Sequence, residues 1–140
     1  MTTSKKVYIA QDAFIAFIDR THPKHLQAAA FFRYFAQEQY QLYTNIITID
    51  QAYDELYKNI APSLAKDLLR ALQISSFNIL FPEDADINTS IKILVNNQSG
   101  ELTLSKALMA VLCNKRSIPQ ICTFEYLHAL YGLQLFYLPV

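Results

Sequence analysis

Only two glycines, Gly100 and Gly132, occur in the 140 residues. A phosphate-cradling loop of the nucleotide-triphosphate or dinucleotide kind needs several glycines close together, so both are excluded. Net charge is missing as well, with 12 lysines and arginines set against 12 aspartates and glutamates. No overall positive field draws nucleic acid to the surface, and any such contact depends on a local patch. Long apolar runs are absent: the longest, ALMAVLC from Ala107 to Cys113, falls well short of the ~18 residues of a membrane span. Behind the basic start MTTSKK, the apolar run from Val7 to Ala10 stops at Gln11 and Asp12, too soon for an export signal. Cysteine is scarce too. Cys113 and Cys122 show no metal-site spacing and sit among apolar residues, which reads as two reduced core thiols in a cytoplasmic protein. A soluble, cytoplasmic chain with no membrane contact is expected.

What is present is apolar side chain, 52% of the residues. That is enough for one compact domain over residues 1–140 with its own core and no metal or disulfide support. Short apolar runs alternate with longer helix-period segments, the pattern of an α/β fold with helices on a mostly parallel sheet. Strands are predicted at 7–10, 41–45, 78–82, 120–124 and 133–139. Helices are predicted at about 12–19, at 23–38 with Thr21 or His22 as cap, at 49–59, and from Pro62 to Ile74. Two more follow, one with Ile87, Ile91, Leu94 and Val95 on one face and Asp84 or Asp86 at its amino end, the other over LTLSKALMAVLCNKR with Lys115 and Arg116 at its carboxyl end. NNQSGE between them reads as a loop.

The second helix carries Phe31, Phe32, Tyr34 and Phe35, rings that wrap more than half of its circumference. A surplus beyond one core-facing stripe is expected to form a second buried surface, a homodimer or protein-partner contact. Base stacking is the nucleic-acid version of the same idea. His22 and His25 lack a third metal ligand in view, and they read, with His128, as capping or surface residues. Asp54 and Glu55 read first as a solvated helix face.

Four segments, taken in order, resemble the PIN domain family of small metal-dependent nucleases, which includes the toxins of toxin–antitoxin pairs. VYIAQDAFIAFIDRTHPKH is similar to the family's opening strand and helix, with Asp19, Arg20 and His25 matching its later part and Ala10 where the strand would end in aspartate. YTNIITIDQAY resembles the second segment and puts its acidic residue on Asp50. GELTLSKALMAVLCNKRS resembles the third, with Lys106 in place of an aspartate, and ICTFEYLHALYGLQLFYLP the fourth, with Glu125 in place of another. The resemblance implies a three-layer sandwich around a five-stranded sheet of order 3-2-1-4-5, with an acidic pocket at the carboxyl ends of the strands, where open α/β sheets bind ligands in general.

Phosphodiester hydrolysis of that kind needs carboxylates converging on magnesium or manganese, which polarises water and neutralises developing charge. The family-equivalent positions here read Ala10, Asp50, Lys106 and Glu125. An ammonium in such a pocket opposes a divalent ion and supplies covalently the positive charge the carboxylates want. Lys106 is therefore expected to pair with Asp50, Glu125 or both, with Asp12 capping the first helix. This predicts a degenerate member with no catalytic residues and no cofactor, a binding or regulatory module for a protein partner or, weakly, RNA. The alternative is a magnesium- or manganese-dependent ribonuclease with a rearranged site, the toxin of a toxin–antitoxin pair, in which Asp12, Asp50 and Glu125 hold one ion while Lys106 contacts phosphate.

Overall fold

A computed structural model describes residues 4–96, 102–125 and 133–136. Its elements run β1 (Lys6–Ile9), α1 (Gln11–Ile18), α2 (His25–Gln37), β2 (Gln41–Asn45), α3 (Ile46–Asn59), α4 (Pro62–Ile74), β3 (Asn78–Leu80), α5 (Asp84–Asn96), α6 (Leu104–Lys115), β4 (Gln120–Cys122) and β5 (Gln134–Leu135). The strands form one sheet of order β3-β2-β1-β4-β5, parallel at every pairing.

Alternation along β1 divides the core. Val7 and Ile9 pack with Phe14, Phe31, Phe35, Leu56 and Leu68 from α1 to α4. Tyr8 points the other way, onto Leu108, Met109 and Leu112 of α6. α5 lies against α6. The result is a three-layer α/β sandwich whose central strand is buried on both faces, as parallel sheets require. No helix among the described residues is long and apolar enough to cross a membrane.

Local chemistry explains where most elements start and stop. Asn45 ends β2 and caps α3 at once, its side-chain oxygen accepting from the backbone N–H groups of Ile47 and Thr48. Thr103 caps α6 through the Lys106 N–H, and Pro62 opens α4. With so little glycine, the residues that turn the chain left-handed after α2 and α6 are Gln39 and Ser117, each at φ 57°. The next N–H then reaches back across the last turn, Tyr40 to the Phe35 carbonyl at 2.9 Å and Ile118 to the Cys113 carbonyl at 2.8 Å.

Several boundaries differ from the sequence reading. β3 and β4 stop at Leu80 and Cys122, shorter than expected, and of the last strand 137–139 lie outside the described residues, as do His128 and most of NNQSGE. α2 starts at His25, not Pro23, with Lys24 at the cap position and no capping side chain. Thr21 is used elsewhere, donating its N–H and hydroxyl to Asp19, and the His22 ring accepts from the Lys24 N–H. On α5 the apolar stripe does not face the core: Ile87, Ile91 and Val95 are exposed, while the buried residues are Asp86 and Ser90. Asp86 accepts from the Glu83 N–H and pairs with Lys115 at 3.2 Å, so a polar contact anchors this helix to α6.

The rings of α2 also need correction. Phe31 and Phe35 are buried, and Phe32 and Tyr34 pack against the same core. Their partners come from α1 and from the segments after β4 and β5: Phe32 meets Phe17 at 4.5 Å between centroids, Phe31 meets Phe124, and Phe35 and Tyr34 both meet Phe136. The surplus counted along one helix is absorbed because α2 is clasped on more than one side, by α1 and by the strand ends.

Candidate functional site

Strand order reverses between β1 and β4, and an open α/β sheet leaves a crevice just beyond the carboxyl ends of the strands at such a point. Ala10 follows β1 and takes the cap position of α1, its N–H donating to the Cys122 carbonyl of β4. Around this point a cleft of about 370 Å³ is lined by Ala10, Asp12, Thr48, Gln51, Glu55, Ser105, Lys106, Thr123 and Glu125, among others. Residues from α1, α3, α6 and the end of β4 thus share one cleft.

Lys106 leaves the first turn of α6 and its Nζ lies 3.0 Å from Glu125 Oε2. The pair is only part shielded, the side chains being 33% and 54% exposed respectively. Solvent therefore weakens the attraction, and its importance is where it puts the positive charge rather than how much it stabilises.

Asp12 does not cap α1. Its carboxylate crosses to β4, where it accepts the Thr123 hydroxyl at 2.9 Å and the Phe124 N–H at 2.7 Å. Burial pushes this carboxyl above the usual range, and the two donors hold it back only in part. Thr123 in turn accepts from the Glu125 N–H at 3.2 Å. Asp12 therefore fixes the chain that carries Glu125, and Lys106 holds that carboxylate from the other side.

Asp50 is not in the cleft; it is exposed. The reason is the helix start. Because Asn45 caps α3 directly at the strand end, Ile46 opens the helix three residues earlier than expected, and Thr48, Gln51 and Glu55 fall on the side facing the cleft. Asp50 lies roughly 200° around the helix from Thr48 at 3.6 residues per turn. The residue next to it that does face inward is the neutral amide of Gln51. Glu55, expected on a solvated face, lines the cleft and accepts from Asn59 at 2.7 Å, while Asp54 is exposed and paired with Lys58.

Asp19, Arg20 and His25 lie apart from this cleft. They line a wider depression of about 950 Å³ with Phe17, Leu64 and Asp67. The Thr21 hydroxyl and N–H hold the Asp19 carboxyl below its usual range. His25 Nδ1 lies 2.9 Å from the Ala16 carbonyl and, as donor, staples α2 to α1. Both cysteines are free and buried, and burial pushes the Cys113 thiol up to about 12.

In shape and position the cleft is that of a ligand site at a sheet's switch point. No protein-family model matches the sequence, and no curated protein matches it either. Among solved structures the chain is similar to Mycobacterium tuberculosis VapC20, a sarcin-ricin loop cleaving toxin, with a TM-score of 0.75 and 13% identity, over 85% of this chain and 89% of that one. VapC20 is a PIN-domain toxin. This chain has a PIN-like fold.

A resident divalent ion can be tested against the donors of that PIN-like cleft. Asp12 is engaged by two donors, Glu125 by an ammonium and Glu55 by an amide. Ala10 offers no side-chain oxygen, and Gln51 offers at most a neutral one. No group of three or more histidines, cysteines, aspartates or glutamates among the described residues is placed to hold a metal. The donor set does not fit magnesium or manganese, which take several converging oxygens.

Proposed function

We propose that this PIN-like chain, one domain over residues 1–140, is a binding or regulatory module without metal-dependent catalysis, working in the cytoplasm on a protein partner or, weakly, on RNA. The single observation that carries the reading is the ion pair of Lys106 with Glu125 inside the cleft. An ammonium there takes up the carboxylate that would ligate a metal ion and repels the ion itself, so water in the cleft is not activated. The residues left for binding are polar and varied: Thr48, Gln51, Ser105, and the carboxylates of Asp12 and Glu55. A partner would contact this cleft, or the exposed apolar stripe of α5, rather than the rings of α2, which are committed to the chain's own core. A homodimer through those rings is accordingly not part of the proposal.

The second reading is a magnesium- or manganese-dependent ribonuclease with a rearranged site, a toxin held by an antitoxin. Two observations favour it: three carboxylates, Asp12, Glu55 and Glu125, line one cleft, and the fold is similar to that of a toxin that cleaves the sarcin-ricin loop. The two readings separate in one assay. Pure protein incubated with single-stranded RNA and manganese leaves the RNA intact under the first reading. Cleavage that disappears with a chelator and with Glu125→Gln establishes the second.

A further inference from the structure

The floor of the cleft rests on a buried polar network that none of the preceding chemistry uses. Tyr8 on β1 is wholly buried, and its hydroxyl is 2.6 Å from Asn45 Nδ2 and 2.6 Å from Thr48 Oγ1. Hydrogen counting assigns the directions. The Asn45 amide nitrogen can only donate, and the Asn45 oxygen is already taken by the N–H groups of Ile47 and Thr48. One lone pair of the Tyr8 oxygen is thus filled from Asn45. The phenol keeps its own hydrogen, since burial pushes it up to about 12. A buried hydroxyl hydrogen needs an acceptor, and the Thr48 oxygen stands within 2.6 Å. If Thr48 donated instead, the Tyr8 hydrogen would have to turn to the Thr44 hydroxyl, which lies nearby and gives its own hydrogen to the Ile9 carbonyl. Thr48 is the hydroxyl at short hydrogen-bond distance, and the pattern of hydroxyl exchange separates the two arrangements.

We propose that Tyr8 is a positioning residue of the cleft: by donating to Thr48 it holds that side chain in one χ1 rotamer with an oxygen lone pair filled from below, so that Thr48 turns its own hydrogen into the cleft as a donor. The proposal rests on the reading of this cleft as a binding site, and it adds a selectivity. The group seated against Thr48 must bring an acceptor oxygen or nitrogen, because the Thr48 oxygen is already engaged from below. Asn45 makes the same network the start of α3, so the lock and the orientation of Thr48, Gln51 and Glu55 are set together.

The test uses NMR on the whole chain without any ligand. In the wild-type protein the Tyr8 hydroxyl hydrogen exchanges slowly and shows a cross-peak to the Thr48 side chain, the Thr48 hydroxyl hydrogen exchanges fast, and the Thr48 χ1 couplings report one rotamer. The reverse exchange pattern, Thr48 slow and Tyr8 fast, overturns the proposal without any variant having to fold. Tyr8→Phe, which keeps the ring, gives averaged Thr48 couplings, while Thr48→Ser in the wild-type background keeps a single rotamer. A single Thr48 rotamer in Tyr8→Phe overturns it even when the melting temperature drops, since that drop alone marks a merely structural phenol. The hydrogen-bond sense can therefore fail while the cleft stands as a binding site, and the cleft can fail while the hydrogen-bond sense holds.

Discussion

Replacing Lys106 by methionine keeps most of the stem and removes the charge, with a small effect on stability and a large one on cations. The Lys106–Glu125 pair is partly exposed, so its loss costs only about 0.5 kcal/mol of stability, or about 2 °C in melting temperature for a domain of this size. Repulsion of a metal ion is the larger quantity. An ammonium about 4 Å from a divalent ion opposes it by about 8 kcal/mol at an effective dielectric of 20, and still by about 2 kcal/mol at the dielectric of water. The lower figure alone corresponds to about a 30-fold change in affinity. Removing the charge also frees the Glu125 carboxylate, while Asp12 and Glu55 keep the donors that engage them. Wild-type protein should therefore melt at the same temperature with and without a few millimolar manganese, whereas Lys106→Met should melt higher with it. A ligand at ten times its dissociation constant adds about 1.4 kcal/mol, or about 4 °C. Isothermal titration on both proteins measures the affinities directly. Manganese binding by wild type as tight as by the variant would falsify both the electrostatic argument and the reading of the cleft as closed to metal, whereas no binding by either would refute the role given to Lys106 alone.

Asp12→Asn keeps an acceptor for the Thr123 hydroxyl and the Phe124 N–H and removes a buried charge, so chemical denaturation at neutral pH should show unchanged or higher stability. Asp12→Ala loses both bonds and should cost about 1–3 kcal/mol. Because the folded carboxyl titrates above its unfolded value, Asp12 adds stability as pH falls through its folded pKa, and its contribution is fully present below the unfolded value; Asp12→Asn should remove that slope from a plot of stability against pH. Asp86 has the opposite sign: the Glu83 N–H and Lys115 hold it below the usual range, so its contribution is present above the unfolded value and lost as pH falls through the folded one. Lys115→Met should cost about 1–2 kcal/mol, more than Lys106→Met, because its carboxylate is nearly buried, and urea melts of the two variants side by side check the order. Phe35→Ala should cost about 3–5 kcal/mol, measured the same way; a loss below about 1 kcal/mol would mean that the rings of α2 are not core.

Helices on a mostly parallel sheet are legible in the alternation of short apolar runs with helix periods, whereas the strand order, the layers on both faces and so the place of the switch point come from the family resemblance, with the general rule that open parallel sheets leave a crevice there. The resemblance places Ala10, Lys106 and Glu125 there, and the structure brings them together. Asp50 is harder to place, because it depends on where a helix begins to within one or two residues. The overlooked signal is Asn45, a cap residue at the very end of a strand, which leaves no loop and turns Thr48 and Gln51 inward. Asp12 misleads for a related reason. A carboxylate near a helix start suits both a cap and a tertiary acceptor, and only the return of β4 beside β1 supplies Thr123 and Phe124 as donors. The rings of α2 look excessive for one stripe because sequence shows a helix's circumference but not how many neighbours it has. Phe17, Phe124 and Phe136 come from segments scattered along the chain.

The register of the central strand carries a consequence for biogenesis. Tyr8 leaves the ribosome long before Ile121, its partner on β4, has been made. Until then one edge of β1, flanked by Val7 and Ile9, has nothing of its own to pair with. Sheets closed by such distant partners fold slowly and expose sticky edges meanwhile. Truncated chains that end before Gln120 should therefore aggregate rather than accumulate as a smaller native domain, and the intact polypeptide should depend on chaperones more than its modest size suggests.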